Sequence, residues 1–186
     1  MSLRVLRWAV VGLLLVGSVA FLVKGANGPA DPTLAPGEDQ VTLKRTPFGG
    51  FGEIGFRVEG GTAADSAGRA AAARCALLAE TDAQQGRGLM ERRDLAGYDG
   101  MIFRFPTDTT LTFYMLNTPL PLSIAFFDSA GRFVSATDMA PCIHQPTCPT
   151  YAADRPYRFA LEVPQGAMPR LGIGRGTRLV TTGPCP

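Results

Sequence analysis

The sequence predicts a mainly β fold, a compact β-barrel or sandwich with one or two short helices. Three observations lead there. Short β-branched or aromatic segments alternate with turn residues over most of the chain beyond residue 100. Asp128-Ser129-Ala130-Gly131 supplies the turn chemistry of a tight hairpin between two such segments. Helical signals are confined to two brief stretches.

The elements follow in order. Arg4 and Arg7 precede an uncharged run, 8–23, which Lys24 closes. As a helix this run reaches roughly 24 Å, short of the ~30 Å hydrocarbon core, though tilt and snorkelling flanks blur the limit. Residues 1–24 are therefore expected to be an export element, either an uncleaved membrane anchor or a signal cut after Gly28-Pro29-Ala30. In both cases the basic flank stays inside and the bulk of the chain lies outside, an extracytoplasmic location. Residues 25–40, with Pro29, Pro32 and Pro36, read as a flexible linker. The remainder, 41–186, suits a single β-rich domain.

Within that domain, 41–43 and 51–58 read as early strands around a glycine-rich turn, and 59–69 as a loop. Residues 74–80 form a strand with Cys75, Leu77 and Ala79 on one face. The period changes over 81–90, where Thr81 or Asp82 caps a helix with Gln84 or Gln85 at the capping-box position, and Gly86 or Gly88 weakens its end. Strands are expected at 102–105, 111–116, 122–128, 133–136 and 157–163, the last with Phe159, Leu161 and Val163 facing one way. One helical turn at 166–172 and a closing strand at 177–181 complete the set.

Charge excludes one class of partner. Three of the 18 basic residues lie in 1–24, leaving 15 against 16 acidic ones in the exported part. That balance provides no basic footprint for nucleic acid. Four cysteines in an exported chain favour two disulfides. Cys142 and Cys148 bracket a short loop, which favours a local bridge and leaves Cys75 to pair with Cys185. By loop-closure entropy the long bridge is worth roughly 5 kcal/mol and the short one roughly 2.

Several motifs now stand in a recognisable order. Arg87-Gly88-Leu89-Met90 is followed by Gly100-Met101-Ile102-Phe103 with Phe105-Pro106, then by 113–118 (FYMLNT) and 121–128 (PLSIAFFD) with Gly131. Pro141-Cys142, Leu161-Glu162 with Gly166, and Leu171-Gly172-Ile173 with Gly176 complete the series. This pattern resembles the bacterial and archaeal domain-of-unknown-function family 192 over roughly 74–180. The resemblance implies a small, β-rich and often exported domain, and it implies no activity. Two departures matter: the family pattern has Trp where Tyr114 stands and Asp where Ser123 stands. An acid serving the family at that position would be missing here, so no mechanism is built on Ser123.

Candidate chemistry concentrates in these motifs. Arg87, Tyr114, Asn117 and Thr118 offer a guanidinium, a phenol, an amide and a hydroxyl, a donor and acceptor set suited to a polar ligand such as a glycan or small acid. Against this, Asn117 and Thr118 precede Pro119 and suit a turn held by its own side chains, and Arg87 suits an ion pair with Asp128 or Glu91. Glu91, Asp94 and Asp99 cluster after the helix, which raises a second reading, an envelope hydrolase with paired carboxylates. A third reading is a purely structural or interaction domain. His144 lies inside the Cys142–Cys148 loop with no nucleophile in a recognisable context. Met90, Met101, Met115 and Met139 form no ligand cluster and are expected to fill the core, so no metal is assigned. Residues 50–55 match G-x-G-x-x-G, but a strand rather than a helix follows, and no cofactor is expected. The expected partners are an envelope glycan or small polar ligand, and the membrane through residues 8–23.

Overall fold

The computed structural model of the protein describes residues 44–60 and 73–186. The export element, the linker, the strand expected at 41–43 and residues 61–69 of the expected loop lie outside the described residues. Among the described residues no helix is long and apolar enough to cross a membrane.

Among the described residues, nine strands and two short helices follow one another. They are β1 (Gly52–Gly60), β2 (Arg74–Ala79), α1 (Asp82–Arg87), β3 (Gly100–Thr109), β4 (Phe113–Tyr114), β5 (Leu122–Phe127), β6 (Phe133–Met139), β7 (Thr150–Tyr151), β8 (Tyr157–Pro164), α2 (Met168–Leu171) and β9 (Thr177–Gly183). Seven strands make one sheet in the order β6-β5-β8-β3-β2-β1-β9, and β4 pairs with β7 in a small ribbon. The expected mainly β class with short helices is what the structure shows. The sheet curls into a half-barrel: Leu179 on β9 donates its N–H to Gly131, in the β5–β6 turn, at 2.8 Å.

Gly131 permits that closure. It has φ 76°, and an added Cβ would lie 2.3 Å from the Leu179 carbonyl oxygen. Gly131→Ala is therefore expected to lower stability by about 2–3 kcal/mol through left-handed strain and steric separation of the edge. A urea titration reads this directly, and a loss under about 0.5 kcal/mol would mean the edge relaxes freely.

Both faces of the sheet are buried, and the side-chain period of two sorts the residues between them. One layer contains Phe56, Ala76, Leu78, Ile102, Phe127, Leu161 and Val163, with Leu171 of α2 packed on it. The other contains Cys75, Leu77, Ala79, Met101, Phe103, Ile124, Phe126 and Ala160. The common face expected for Cys75, Leu77 and Ala79 lies in this second layer, and Phe159, Leu161 and Val163 share the first.

Connectivity determines what covers the second layer. β2 and β3 pair in parallel, a geometry that no tight turn can close. Residues 80–99 must cross over, and they carry α1. β3 and β5 both flank β8, so 110–121 must pass across β8 to join them, carrying β4. The strand expected over 111–116 is reduced to Phe113–Tyr114, because β7 offers only Thr150 and Tyr151 as partners. The remaining residues run as a covering strap. β3 and β6 extend further than expected, to Thr109 and Met139.

α1 forms where the capping chemistry places it. Thr81 accepts from the Gln84 N–H, and the Gln84 side chain returns to the Thr81 backbone, a reciprocal capping box. Gly88, at φ 45°, ends the helix. Residues 50–55 lead into and form β1, so the glycine pattern there belongs to a strand.

Candidate functional site

A cavity of about 280 Å³ opens between the two crossovers and the centre of the sheet. Asp82, Arg87, Gly88 and Met90 form one wall; Leu111, Phe113, Tyr114 and Thr118 form the other. Phe103, Leu122 and Glu162, from β3, β5 and β8, make the floor. Most of the lining is apolar, and the polar groups stand at a few points. Leu111 and Tyr114 are 60 % and 44 % exposed, two of three large hydrophobic residues exposed among the described residues.

Each wall is pinned by hydrogen bonds. The Gln85 side chain donates to the Arg104 carbonyl at 3.0 Å and ties α1 to β3. Glu91 donates its N–H to the Asn117 carbonyl (2.7 Å), and Asn117 donates its own to Cys142 (2.9 Å). The segment after α1, the 116–118 turn and the Cys142–Cys148 bridge are thus linked in series. The Tyr157 hydroxyl donates to the Leu111 carbonyl at 2.7 Å and holds the lip of the opening. Below it, Phe113 stacks edge-on to Phe103 with centroids 4.9 Å apart.

The structure brings Arg87, Tyr114 and Thr118 to this cavity. Arg87 is exposed at the end of α1, and among the described residues no carboxylate lies within ion-pair distance of it. Asp128, one expected partner, pairs with Arg132 at 2.8 Å. Thr118 is buried, and its hydroxyl donates to the Leu116 carbonyl at 3.2 Å. Asn117 does not line the cavity. It occupies a left-handed conformation, φ 53°, that Asn tolerates better than most residues, and its backbone does the work of the turn.

The acids clustered after α1 serve local structure. Asp94 accepts from the Ala96 N–H (2.9 Å), and Asp99 accepts from Cys75 N–H while pairing with Arg74 (both 3.1 Å). Ser123 donates to Asp138 at 2.5 Å from its buried position on the face away from the cavity. That bond, then one from Gln165, holds the Asp138 carboxyl below its ordinary range. Met101, Met115 and Met139 fill the core. Glu53, Cys75 and Cys185 approach one another closely, but both thiols are consumed in a disulfide and offer no thiolate to a metal. The bridges join Cys75 to Cys185 and Cys142 to Cys148, with Cα separations of 5.0 and 5.9 Å, both in the ordinary range.

Glu162 is the residue that sequence reasoning missed. It is only 4 % exposed. Its cross-strand neighbours are Met101 on β3 and Ile124 on β5, both fully buried. Among the described residues nothing donates a hydrogen bond to its carboxyl, and burial alone pushes the pKa up to about 8. At neutral pH Glu162 is therefore mostly a neutral acid at the base of an apolar cavity. The available signal was a lone glutamate between Leu161 and Val163; it becomes legible only once β8 is known to lie inside the sheet.

Comparison with known proteins places the chain among relatives without an assigned chemistry. The model of a family described as an uncharacterized ACR, DUF192, matches residues 63–181. A crystal structure from Novosphingobium aromaticivorans DSM 12444, a protein of unknown function, is similar at TM-score 0.59 and 28% identity. The match covers 74% of this chain and 91% of that one. A crystal structure from Sinorhizobium meliloti 1021, described as a "putative transcription regulator", is similar at TM-score 0.57 and 27% identity. Here 70% of this chain and 95% of that one are covered. No curated protein matches the chain.

Proposed function

The chain belongs to the DUF192 family, and on that premise we propose that it is an exported, membrane-tethered domain that binds a small organic ligand at the cell envelope. The observation that carries this reading is the cavity itself, where Arg87, Tyr114 and Thr118 from separate segments meet over an apolar interior. Two disulfides support an oxidising compartment. The uncharged run at 8–23 supports export.

The lining favours a small acid over a glycan. A sugar presents a hydroxyl on most carbons, and walls of Leu, Met and Phe give those groups few partners. An apolar body seated among Phe103, Leu111 and Phe113 fits better, with an anionic group held at the mouth by Arg87. A transcription-regulator role, as the Sinorhizobium meliloti protein is described, is not proposed, because the balance of basic and acidic residues here provides no footprint for nucleic acid.

A thermal-shift screen of arylalkanoic acids and envelope oligosaccharides tests the proposal, since a ligand that binds only the folded state raises its melting point. The acids are expected to stabilise the protein and the oligosaccharides to leave it unchanged. Arg87→Ala is expected to weaken acid binding about tenfold, the loss of one charge-assisted contact. Equal binding of acids to that variant would remove Arg87 from the site.

One observation favours the hydrolase reading as a second possibility: Asp82 and Glu162 both line the cavity, and Glu162 is held in the protonated state that a general acid requires. Turnover of chromogenic glycosides or esters that disappears in both Asp82→Asn and Glu162→Gln would establish it. A purely structural or interaction domain is expected if both Asn117 and Arg87 spend their hydrogen bonds on the backbone; the Asn117 main chain does so, whereas Arg87 lines the cavity.

A further inference from the structure

The cavity floor carries a more specific message than its mouth. We propose that Glu162 is a recognition group for a basic amine: the ligand's inner end carries an ammonium that reaches this carboxylate between aromatic walls. The inference rests on the cavity being a ligand site, and it names the chemistry of the end that enters first.

The placement of Glu162 is costly for a purely structural residue. It stands on β8, the third strand of the seven-stranded sheet, with a strand on either side. Met101 and Ile124 flank it, and no donor among the described residues satisfies its oxygens. A carboxyl so placed must remain protonated or find a cation. A methionine or leucine would fill the same space at no such cost. Glu162 lines the cavity, so the missing partner has a route of entry.

Three ligand chemistries can be ranked at this floor. A carboxylate arriving beside Glu162 would place two acids in one apolar site and require them to share a proton. An alcohol would exchange one hydrogen bond with water for one with the acid and gain little. An ammonium would become the counter-ion that the site lacks, in a cavity that Phe103, Phe105 and Phe113 also line. Binding is then an exchange in which atoms and charge balance: the ammonium enters, Glu162 gives its proton to solvent, and an ion pair remains. One proton is released for each amine bound while the free site is protonated.

That exchange sets a pH signature. Below the carboxyl's pKa of about 8, affinity for an amine that stays charged in solution should rise about tenfold per pH unit, and above it the slope should vanish. The other charged or titratable groups facing the cavity are Asp82 and Arg87 on α1 and Tyr114 on β4. From the flanking strands the neighbours are Phe103, Phe105 and Leu122 with Met101 and Ile124, none of which titrates. Arg87 disfavours a second cation at the mouth and leaves the floor as the place for it, since among the described charged groups that line the cavity Asp82 is exposed and Glu162 is buried.

The test uses the full chain in mild detergent and isothermal titration with 2-phenylethylamine, 2-phenylethanol and phenylacetate between pH 6 and pH 9. The amine is expected to bind at least about tenfold tighter than the alcohol at pH 8, the ratio of a charge-assisted contact to a neutral one. Its affinity should climb with pH, and buffers of different ionisation enthalpy should report release of about one proton per amine at pH 6.5. Glu162→Gln should abolish both the slope and the amine preference while the alcohol still binds. If the alcohol binds but the amine is no tighter, or if amine preference survives in Glu162→Gln, the inference is overturned and the cavity remains a ligand site. Failure of all three compounds to bind the wild-type protein would overturn both. Proton release is read on the wild-type chain, so the inference stays falsifiable even if the variant fails to fold.

Discussion

Replacing Glu162 with glutamine is expected to flatten the pH dependence of stability, so that the variant overtakes the wild-type protein increasingly as pH rises. The sign follows from proton linkage. The carboxyl titrates near 4.5 when unfolded and near 8 when folded. Between those values the unfolded chain has released its proton while the folded chain retains it, so rising pH favours unfolding. The stability associated with the protonated carboxyl is complete below about pH 4.5 and is lost progressively up to about pH 8. Between pH 5 and pH 9 the wild-type protein should lose on the order of 4 kcal/mol that the glutamine variant keeps. In a domain of this size that corresponds to about 10–15 °C in melting temperature. Melting curves for both proteins at five pH values measure the difference. Parallel curves would show that Glu162 ionises normally, and would place water or a donor at the cavity floor.

Removal of the Cys75–Cys185 bridge should have an effect of similar size through a different route. The cysteines are 110 residues apart, so the bridge closes nearly the whole described domain into one loop. Its loss returns roughly 5 kcal/mol of chain entropy to the unfolded state. Cys75 is buried in the sheet and its backbone exchanges hydrogen bonds with Asp99, so that strand should persist while the segment after β9 detaches. The paired substitution Cys75→Ser with Cys185→Ser is expected to lower the melting temperature by about 10–15 °C. The control is Cys142→Ser with Cys148→Ser, whose separation of 6 residues predicts a loss of only about 2 kcal/mol. That control should weaken ligand binding more than its stability cost suggests, because Cys142 holds the turn beneath the cavity wall. Equal melting temperatures for the Cys75–Cys185 variant and the wild-type protein would refute the staple.

Much of the strand inventory was legible because it depends on local chemistry. Asp128 and Gly131 specify a hairpin through backbone geometry, and Thr81 with Gln84 specifies a helix start through paired caps. Neither needs information from elsewhere in the chain. The strand at 111–116 shrank because strand length is a property of a pair, and β7 supplied two residues. Arg87, Tyr114 and Thr118 were identified as polar residues in dense motifs, and they line one cavity. Asn117 was grouped with them by adjacency, yet its left-handed backbone places it on the supporting side of the turn.

By itself, then, the sequence determined the mainly β class, the hairpin, the helix cap and the family, all of which arise from short-range periodicity, turn chemistry and ordered motifs. Only the tertiary structure decided that β8 lies between β3 and β5, that the strap at 110–121 crosses over it, and that a glutamate therefore faces an apolar cavity. Alternation along a strand tells which residues share a face. It does not tell whether that face meets water or a second layer, and for Glu162 that difference separates an ordinary surface acid from the group at the centre of the candidate site.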